Sequence, residues 1–594
     1  MHQSNSKRNA IVCARILLII LALFSVNAAQ AQEGTPSPAP DDLKQLQIPS
    51  IAPDYRGQHK PLPELRRVGV DMDRQHPLSL REALSMALEN NKDIEVARQN
   101  VKIAEFDLLG AHGLYDPKIN TTAFYERIKT PISNFLSGGQ NGAITQDDYT
   151  GSARMEGLSK MGGSYHFDFS SVRLTTNNSF AALNPQYPSS ITFNYTQPLM
   201  RGLKFDSARR QIEIGKKNLS LTDSQFRQRA IETITNVQRA YWDLVFALRS
   251  LQVQRDAVAV AKTQLEHNRR LVNEGQLAPI DLVSSESQIT TYEQGVFTAL
   301  EDITRFENTL KNLIAKDHVA DIWADSIVPT DSVDLTVPDV SLTDALKTAV
   351  ENRPELQQSE VLSQINQIDQ RFYKDQTKPA IDLVGSYGST GLAGSQAVSG
   401  VNPFTASSQA LRDRVDELSR REHLDPLPLV PATTFSPNLL GSYAQSVENL
   451  LANRYNNFKV GVQINLPLRN RTAEAQLGRS LVEGQRLATQ REQLQQTIQV
   501  EVRNALQSVR SAETRLRAAV ATRELNEQQF SSEQRKLDAG QSTVFLVLER
   551  QNALTTAKGS ELKAQTDLNK AIADLQKATG NSLNVNSIVV SVHD

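Results

Sequence analysis

The sequence predicts an α+β membrane protein built from two copies of one helix–strand–strand–helix unit, and three observations predict it. First, Ser79–Ile94 reads SLREALSMALENNKDI and Ser341–Leu356 reads SLTDALKTAVENRPEL, identical at seven of sixteen positions at an offset of 262. Pro117 returns at Pro379 (offset 262), Gly275 at Gly540 (265) and Pro198 at Pro467 (269). One period kept across insertions marks a duplication, and a repeat that cannot bury its apolar face alone stacks on its copies. Second, two long stretches carry apolar residues at alternating spacings of three and four, the seam of a coiled coil. Third, between the helices the period falls to two in short Thr/Asn/Tyr-rich segments, as in barrel strands.

The 594 residues carry a net charge of −2, which offers no polybasic surface for nucleic acid. Lys7, Arg8 and Arg15 precede an apolar run, Ile16–Val26, and the small-residue site Ala29-Gln30-Ala31. This is the pattern of a secretory leader cut after Ala31, and the run is about half the length that spans a bilayer. The one cysteine, Cys13, would leave with that leader, so the mature chain is expected to have no disulfide, thiol chemistry or N-terminal lipid anchor. No later apolar stretch reaches about 18 residues, so a membrane span must be a closed β-barrel, the remaining way to satisfy the backbone in lipid.

Residues 32–77, with seven prolines from Pro36 to Pro63, read as an extended tether. The first repeat covers 78–316. Ser79 with Glu82 is a capping box opening a helix to about His112, which Gly113 and Asp116-Pro117 end. From Lys118, Ile119, Thr121, Ala123 and Tyr125 alternate with Asn120, Thr122, Phe124 and Glu126, a strand followed by a Gly/Ser/Asn loop, Ser137–Gly142. Tyr149–Leu158 and Ser164–Leu174 form a further hairpin around Met161-Gly162-Gly163 or sit folded in a loop, which leaves the strand count open. Ile191–Leu199 is the next strand.

Ser207–Val272 contains no proline and one glycine, Gly215, and its seam is Ile234, Val237, Tyr241, Leu244, Leu248 and Leu251. A helix of that length is about 100 Å long. After Asn273–Gln276 a second helix returns from about Pro279 to Ile314. Residues 317–340 link the repeats. The second repeat, 341–585, has strands near Ala380–Tyr387 and Phe458–Leu466 and a seam at Ile498, Val502, Ala505, Val509, Ala512, Leu516 and Ala519. A turn at Ala539–Ser542 sends its return helix to about Thr579. Each short first helix, 79–112 and 341–376, is expected to complete the shorter return arm by stacking end to end. An insertion at 392–455 holds a short helix near Ala410–Arg421, and 586–594 form a tail.

Chemistry is sparse. The nine histidines show no HxH or HxxxH spacing, so neither a metal nor any other cofactor is expected, and His267 reads as a solvated helical face. Gly385–Gly391 lacks the GK[ST] ending of a phosphate loop, and no Gly-x-Ser-x-Gly elbow occurs, so no enzyme is expected. Asp147-Asp148 read as loop charge, and Tyr241-Trp242 as seam packing.

The doubled SLREALSMALENN and SLTDALKTAVENR, with YTQPLMRG and the tips RRLVNEGQLAPIDLVSSESQ and RKLDAGQSTVFLVLERQ, resemble the TolC-like outer-membrane efflux proteins over about 78–585, outside 392–455. That resemblance implies a homotrimer whose protomers each give four strands to a twelve-stranded barrel among outer-membrane lipid, continued by a twelve-helix periplasmic tunnel. It implies an outer-membrane location and export together with a periplasmic adaptor (membrane fusion) protein and an inner-membrane RND or ABC pump. By the same resemblance, Gly275, Leu277, Asp281, Gly540 and Thr543 are adaptor-contact candidates at the tips. The family's gate positions hold Glu549, Leu546, Ser542 and Leu537. Two leucines there suggest closure by an apolar constriction as well as by charge. The competing reading is a pore-less periplasmic coiled-coil scaffold or adaptor, which leaves the symmetrically placed period-two segments unexplained.

Overall fold

The computed structural model describes residues 67–133, 137–139, 141–332, 336–397, 403–428 and 435–588. The expected leader, the proline-rich stretch as far as residue 66 and the end of the tail from residue 589 lie outside the described residues.

In chain order the elements are β1 (Asp71–Leu78), α1 (Leu80–Asn90), α2 (Lys92–His112), β2 (Lys118–Pro131), β3 (Ala143–Leu158), β4 (Ser164–Thr176) and β5 (Leu183–Pro198). The long hairpin α3 (Ser207–Asn273) and α4 (Ile280–Ile314) follows, then β6 (Asp325–Pro329). The second half runs α5 (Leu342–Asn352), α6 (Pro354–Gln376), β7 (Ala380–Gln396), α7 (Pro403–Arg421), α8 (Tyr443–Leu451), β8 (Tyr455–Asn465), α9 (Arg471–Asp538), α10 (Val544–Ala578) and the short α11 (Ser582–Val585).

Ser79 caps α1 as the capping box predicts, its Oγ accepting the Glu82 N–H at 3.2 Å. The single helix expected over 79–112 is two, however. Asn91 sits in extended conformation between them, and its Oδ1 accepts the Asp93 N–H at 2.9 Å to start α2. Its Nδ2 donates to the Leu313 carbonyl at 3.1 Å, so a tertiary contact holds the break. The copy expected over 341–376 breaks at Arg353, where Pro354 at the first helical position pushes the residue before it out of the α region. The stretch before residue 78 is also more than a tether, because β1 pairs in parallel with β6 of the inter-repeat linker.

The seam residues are where their spacing puts them. Ile234, Val237, Tyr241 and Leu244 are fully enclosed and share one cluster with Leu78, Leu84, Ile303, Leu310, Ile314 and Ile327. Each such aliphatic side chain removed from water contributes about 1.5–3 kcal/mol. Helix α2 lies along the first part of α3 and α4 along its later part, and α6 and α10 accompany α9 in the same way, so the end-to-end completion of the arms is observed. The Tyr241 hydroxyl lies 2.6 Å from Asp331 Oδ2 and 3.1 Å from the Leu78 carbonyl oxygen, and accepts the Asp331 N–H at 3.2 Å. Its ring meets Trp242 edge-on at 5.5 Å, so this pair serves packing. Asp331 Oδ2 also accepts the Leu80 N–H at 2.6 Å.

Beneath β1 and β6 lies a buried ionic group. Glu307 contacts Arg67, meets Lys311 Nζ at 2.8 Å and accepts the Ile327 N–H at 3.0 Å. Lys311 donates further to the Trp323 and Asp325 carbonyls at 3.0 and 2.6 Å. Burial, aided by the Arg67 charge, pushes the Lys311 ammonium down to about 8 from its ordinary 10.5. The unfolded chain keeps that proton up to about 10.5, so this group makes folding more favourable as pH rises from about 8 to 10.5.

Strands β2-β3-β4-β5-β7-β8 form one six-stranded antiparallel sheet in that order. The segment left open between strand and loop is thus a full hairpin, longer at both ends than the sequence suggests. Asp147 and Asp148 lie within β3 and not in a loop: Asp147 accepts from Arg127 Nε at 2.5 Å and Tyr125 Oη at 2.6 Å. The insertion holds two helices. The longer, α7, starts earlier than expected, and the second, α8, lies on β5 and β7 with Ser446 Oγ 2.7 Å from Ser189 Oγ.

Glu307→Gln leaves two buried cations without their counter-charge and is expected to destabilise the fold by about 3–5 kcal/mol, read by thermal melting. Breaking the exposed i,i+4 pair Glu513–Arg517 by Arg517→Ala is expected to change stability by no more than about 0.5 kcal/mol.

Candidate functional site

Two regions carry the features that bear on function: the tips of the long hairpins and the faces of the sheet. At the first tip, Gly275 adopts φ +72°, its N–H bonds to the Val272 carbonyl at 3.0 Å, and the Gln276 N–H bonds to the Leu271 carbonyl at 2.9 Å. At the second, Gly540 adopts φ +70°, with Leu537 accepting at 2.9 Å and Lys536 accepting from Gln541 at 2.8 Å. Both ends are the glycine-closed helix terminus with paired 5→2 and 6→1 bonds. No atom lies within 4 Å of where a Cβ would stand at either glycine, so backbone conformation and not crowding within the chain calls for glycine. The return helices start differently. Thr543 Oγ1 accepts the Leu546 N–H at 3.4 Å, whereas α4 follows Pro279 and carries Asp281 in its first turn, where a carboxylate suits the helix dipole.

Leu537 is 5% exposed and packs with Val544, Val547 and Leu548, and Leu277 of the first hairpin reaches this cluster. The structure therefore brings Leu277 and Leu537 together as the glue between tips, and places Leu537 away from the free surface. Ser542 donates to Glu533 in its own hairpin, and that bond, with Lys536, holds the Glu533 carboxyl below the usual range. Gly275, Gly540, Thr543 and Glu549 are exposed, while Leu546 and Asp281 are half-buried. Glu549 joins no ion pair among the described residues.

His267 is not the solvated residue its charged surroundings suggest. Its Nε2 lies 3.1 Å from Asp538 Oδ1 across the two hairpins. Beside it runs a buried polar ladder that sequence reasoning missed: Gln264 Nε2 donates to Asn268 Oδ1 at 2.8 Å, and Asn268 Nδ2 donates to Ser285 Oγ at 2.9 Å. The signal was available, because Ala257, Ala261, Gln264 and Asn268 keep the 4-3-4 spacing with amides in place of apolar side chains. Polar groups at seam positions fix register between helices.

In the half nearer the helices the sheet has two chemically distinct faces, while farther along the strands the first face carries the Arg127–Asp147 pair. Register carries one row straight across all six strands: Ile119, Met155, Phe167, Phe193, Tyr387 and Phe458. The adjacent row, on the opposite face, is Asn120, Arg154, Asp168, Thr192, Gly388 and Asn457. An apolar face backed by a polar one is the pattern of a strand wall between lipid and water. β2 is exposed at every position and β8 at all but one, so both edge strands offer unpaired backbone. Among the described residues no helix is long and apolar enough to cross a membrane.

A sequence profile described as outer membrane efflux protein matches residues 164–316 and 428–581. The chain belongs to this family. No curated protein matches it. Among solved structures, the Campylobacter jejuni CmeC outer membrane channel is similar at 14% identity and TM-score 0.57, covering 85% of this chain and 86% of that one. The Vibrio cholerae outer membrane protein VceC aligns at 13% identity and TM-score 0.56, over 84% of this chain and 96% of its own. The open state of the Neisseria gonorrhoeae MtrE outer membrane channel aligns at 16% identity and TM-score 0.56, over 88% and 94%. At such identities the likeness is one of fold. Membership places this outer membrane efflux protein in the outer membrane.

Gly275→Ala and Gly540→Ala each force a side chain into the left-handed region at a cost of about 1–2 kcal/mol, confined to the tip. Hydrogen exchange is expected to quicken at 271–282 or 536–547, with protection at Ile234–Leu244 unchanged.

Proposed function

We propose that the protein is a passive trimeric conduit, the outer-membrane channel of a tripartite export system that also contains a periplasmic adaptor and an inner-membrane RND or ABC pump. The observation that carries this reading is one sheet with a lipid-compatible face and two free edges, joined directly to paired helices of 67 and 68 residues. In lipid an unpaired backbone group costs several kcal/mol, so the edges must be covered. β2 and β8 run in opposite directions, so β8 of one copy can pair with β2 of the next and keep the antiparallel alternation. That contact joins two different surfaces, and such contacts make rings when the rotation closes. At about 1.5 Å per residue the helices reach about 100 Å from the sheet, a length suited to meeting partners across a periplasm and not to building a core.

Within this reading, residues 78–316 and 341–585 are the two efflux repeats joined by 317–340. The exposed tip positions Gly275, Gly540 and Thr543, with half-buried Leu277 and Asp281, form the surface offered to an adaptor hairpin. Glu549 and Leu546 on α10 are the residues that line the narrowed end of the tunnel. Ser542 and Leu537 stand behind them, Ser542 bonded to Glu533 and Leu537 inside the tip cluster. No step of chemistry is required of any residue. A pore-less scaffold leaves the two-faced sheet without a role.

Purified protein in planar bilayers is expected to conduct in small closed-state steps, and Leu546→Ser to raise that conductance while Glu549→Gln lowers cation preference. A monomeric particle that needs no detergent and passes no ions would end the proposal.

A further inference from the structure

Strands β3 and β4 stand out because the family resemblance accounts for four strands in each chain and this sheet has six. The additional hairpin spans the full height of the wall. β2 pairs with β3 from Lys118–Glu156 to Pro131–Ala143, and β4 pairs with β5 from Ser164–Thr196 to Leu174–Gln186. Its turn, Ser159–Gly163, ends where the sheet gives way to helices. Arg209 of α3 donates to the Lys160 carbonyl at 2.5 Å and to the Leu203 carbonyl at 2.8 Å, and Gln197 donates to the Met161 carbonyl at 3.0 Å. Gly162 adopts φ +85°, and a Cβ there would stand 2.8 Å from the Gly202 carbonyl oxygen, so the turn fits closely onto the β5–α3 connector.

The hairpin also shares the two-faced pattern of its neighbours. Tyr165, Phe167 and Phe169 of β4 lie on the face of Phe193 and Tyr387, and Met155 of β3 lies in the same row. On the other face Arg154 Nε donates to Asp168 Oδ1 at 2.5 Å, with Ser152 opposite Ser170. A hairpin folded over a loop would have no reason to keep apolar and polar rows in register with the strands on both sides. A one-residue slip would exchange the two faces.

We propose that the β3–β4 hairpin is part of the membrane wall, its aromatic face turned to lipid acyl chains, so that three copies close a barrel of eighteen strands and not twelve. The proposal rests on the trimeric reading above. Strands about 4.8 Å apart and tilted by about 40° give a backbone radius of about 18 Å for eighteen strands and about 12 Å for twelve. Four helices per copy side by side make a ring of twelve, which at about 9–10 Å between axes also has a radius of about 18 Å. The wider barrel therefore continues the bore of the tunnel without a step, and passage is limited at the tips and not in the membrane.

Electron microscopy of the full chain in detergent is expected to show a threefold particle with an eighteen-stranded barrel. A threefold particle with twelve strands overturns this proposal and leaves the trimeric reading standing, whereas a particle without threefold symmetry removes both. In a Cys13→Ser background reconstituted in lipid vesicles, Phe167→Cys is expected to react with a water-soluble maleimide about tenfold more slowly than Ser170→Cys, because a thiol in apolar surroundings stays protonated. Met155→Cys tests the same face should Phe167→Cys fail to assemble. Equal reactivity on the two faces would place the hairpin outside the lipid and overturn the proposal.

Discussion

The two bare edges of the six-stranded sheet set the terms for the rest of the molecule. Each interior strand is paired on both sides, while β2 and β8 each pair on one side only. In water such edges invite indiscriminate pairing, and in hydrocarbon they are far more costly. An even number of antiparallel strands makes the two edges complementary, so in the trimer proposed above each edge is covered by the other edge of the next copy. In that proposed ring the helices attached to the strands stand in a ring as well, and the order set at the sheet passes down the rods.

The rods are built to accept that order. A helix of 67 residues has too narrow an apolar stripe to stand alone, and α3 is sheathed along its length by shorter partners in succession. Apolar clusters hold it near the sheet-proximal and middle levels, while toward the tip alanines give way to amides, of which Asn268 bonds across the hairpin to Ser285. Large side chains therefore fix the middle, and polar register contacts fix the end where the chain turns. Polar ties also bind the two halves laterally: Lys570 meets Asp243 at 2.7 Å and Arg239 Nε meets Asp574 at 2.8 Å.

Much of this was legible because it is local. The capping serine Ser79, the 3-4 spacing from Ile234 to Leu251 and the positive-φ glycines at both turns each follow from backbone chemistry within a few residues. What escaped reading depends on distant partners. Asn91 breaks a helical stretch because the Leu313 carbonyl is waiting for its amide, and 71–78 becomes a strand only because 325–329 lies alongside. Asp147 looked like loop charge until Arg127, twenty residues away, proved to stand opposite. At the tips, sequence position put Leu537 among the gate residues, yet its side chain is spent on the cluster that joins the hairpins. His267 gave no sign in its own helix of Asp538 in another. The missed ladder of Gln264, Asn268 and Ser285 shows that an amide at an otherwise apolar heptad position is itself a contact signal.

Asp331 has one further consequence. With one carboxylate oxygen it receives the start of α1 and the Tyr241 hydroxyl, while its own amide returns to that hydroxyl. Three segments of the first half, the start of α1, the middle of α3 and the beginning of the inter-repeat linker, are thus tied at one carboxylate. Tyr241 stands midway along α3, so this tie braces the first hairpin about halfway between the sheet and its tip.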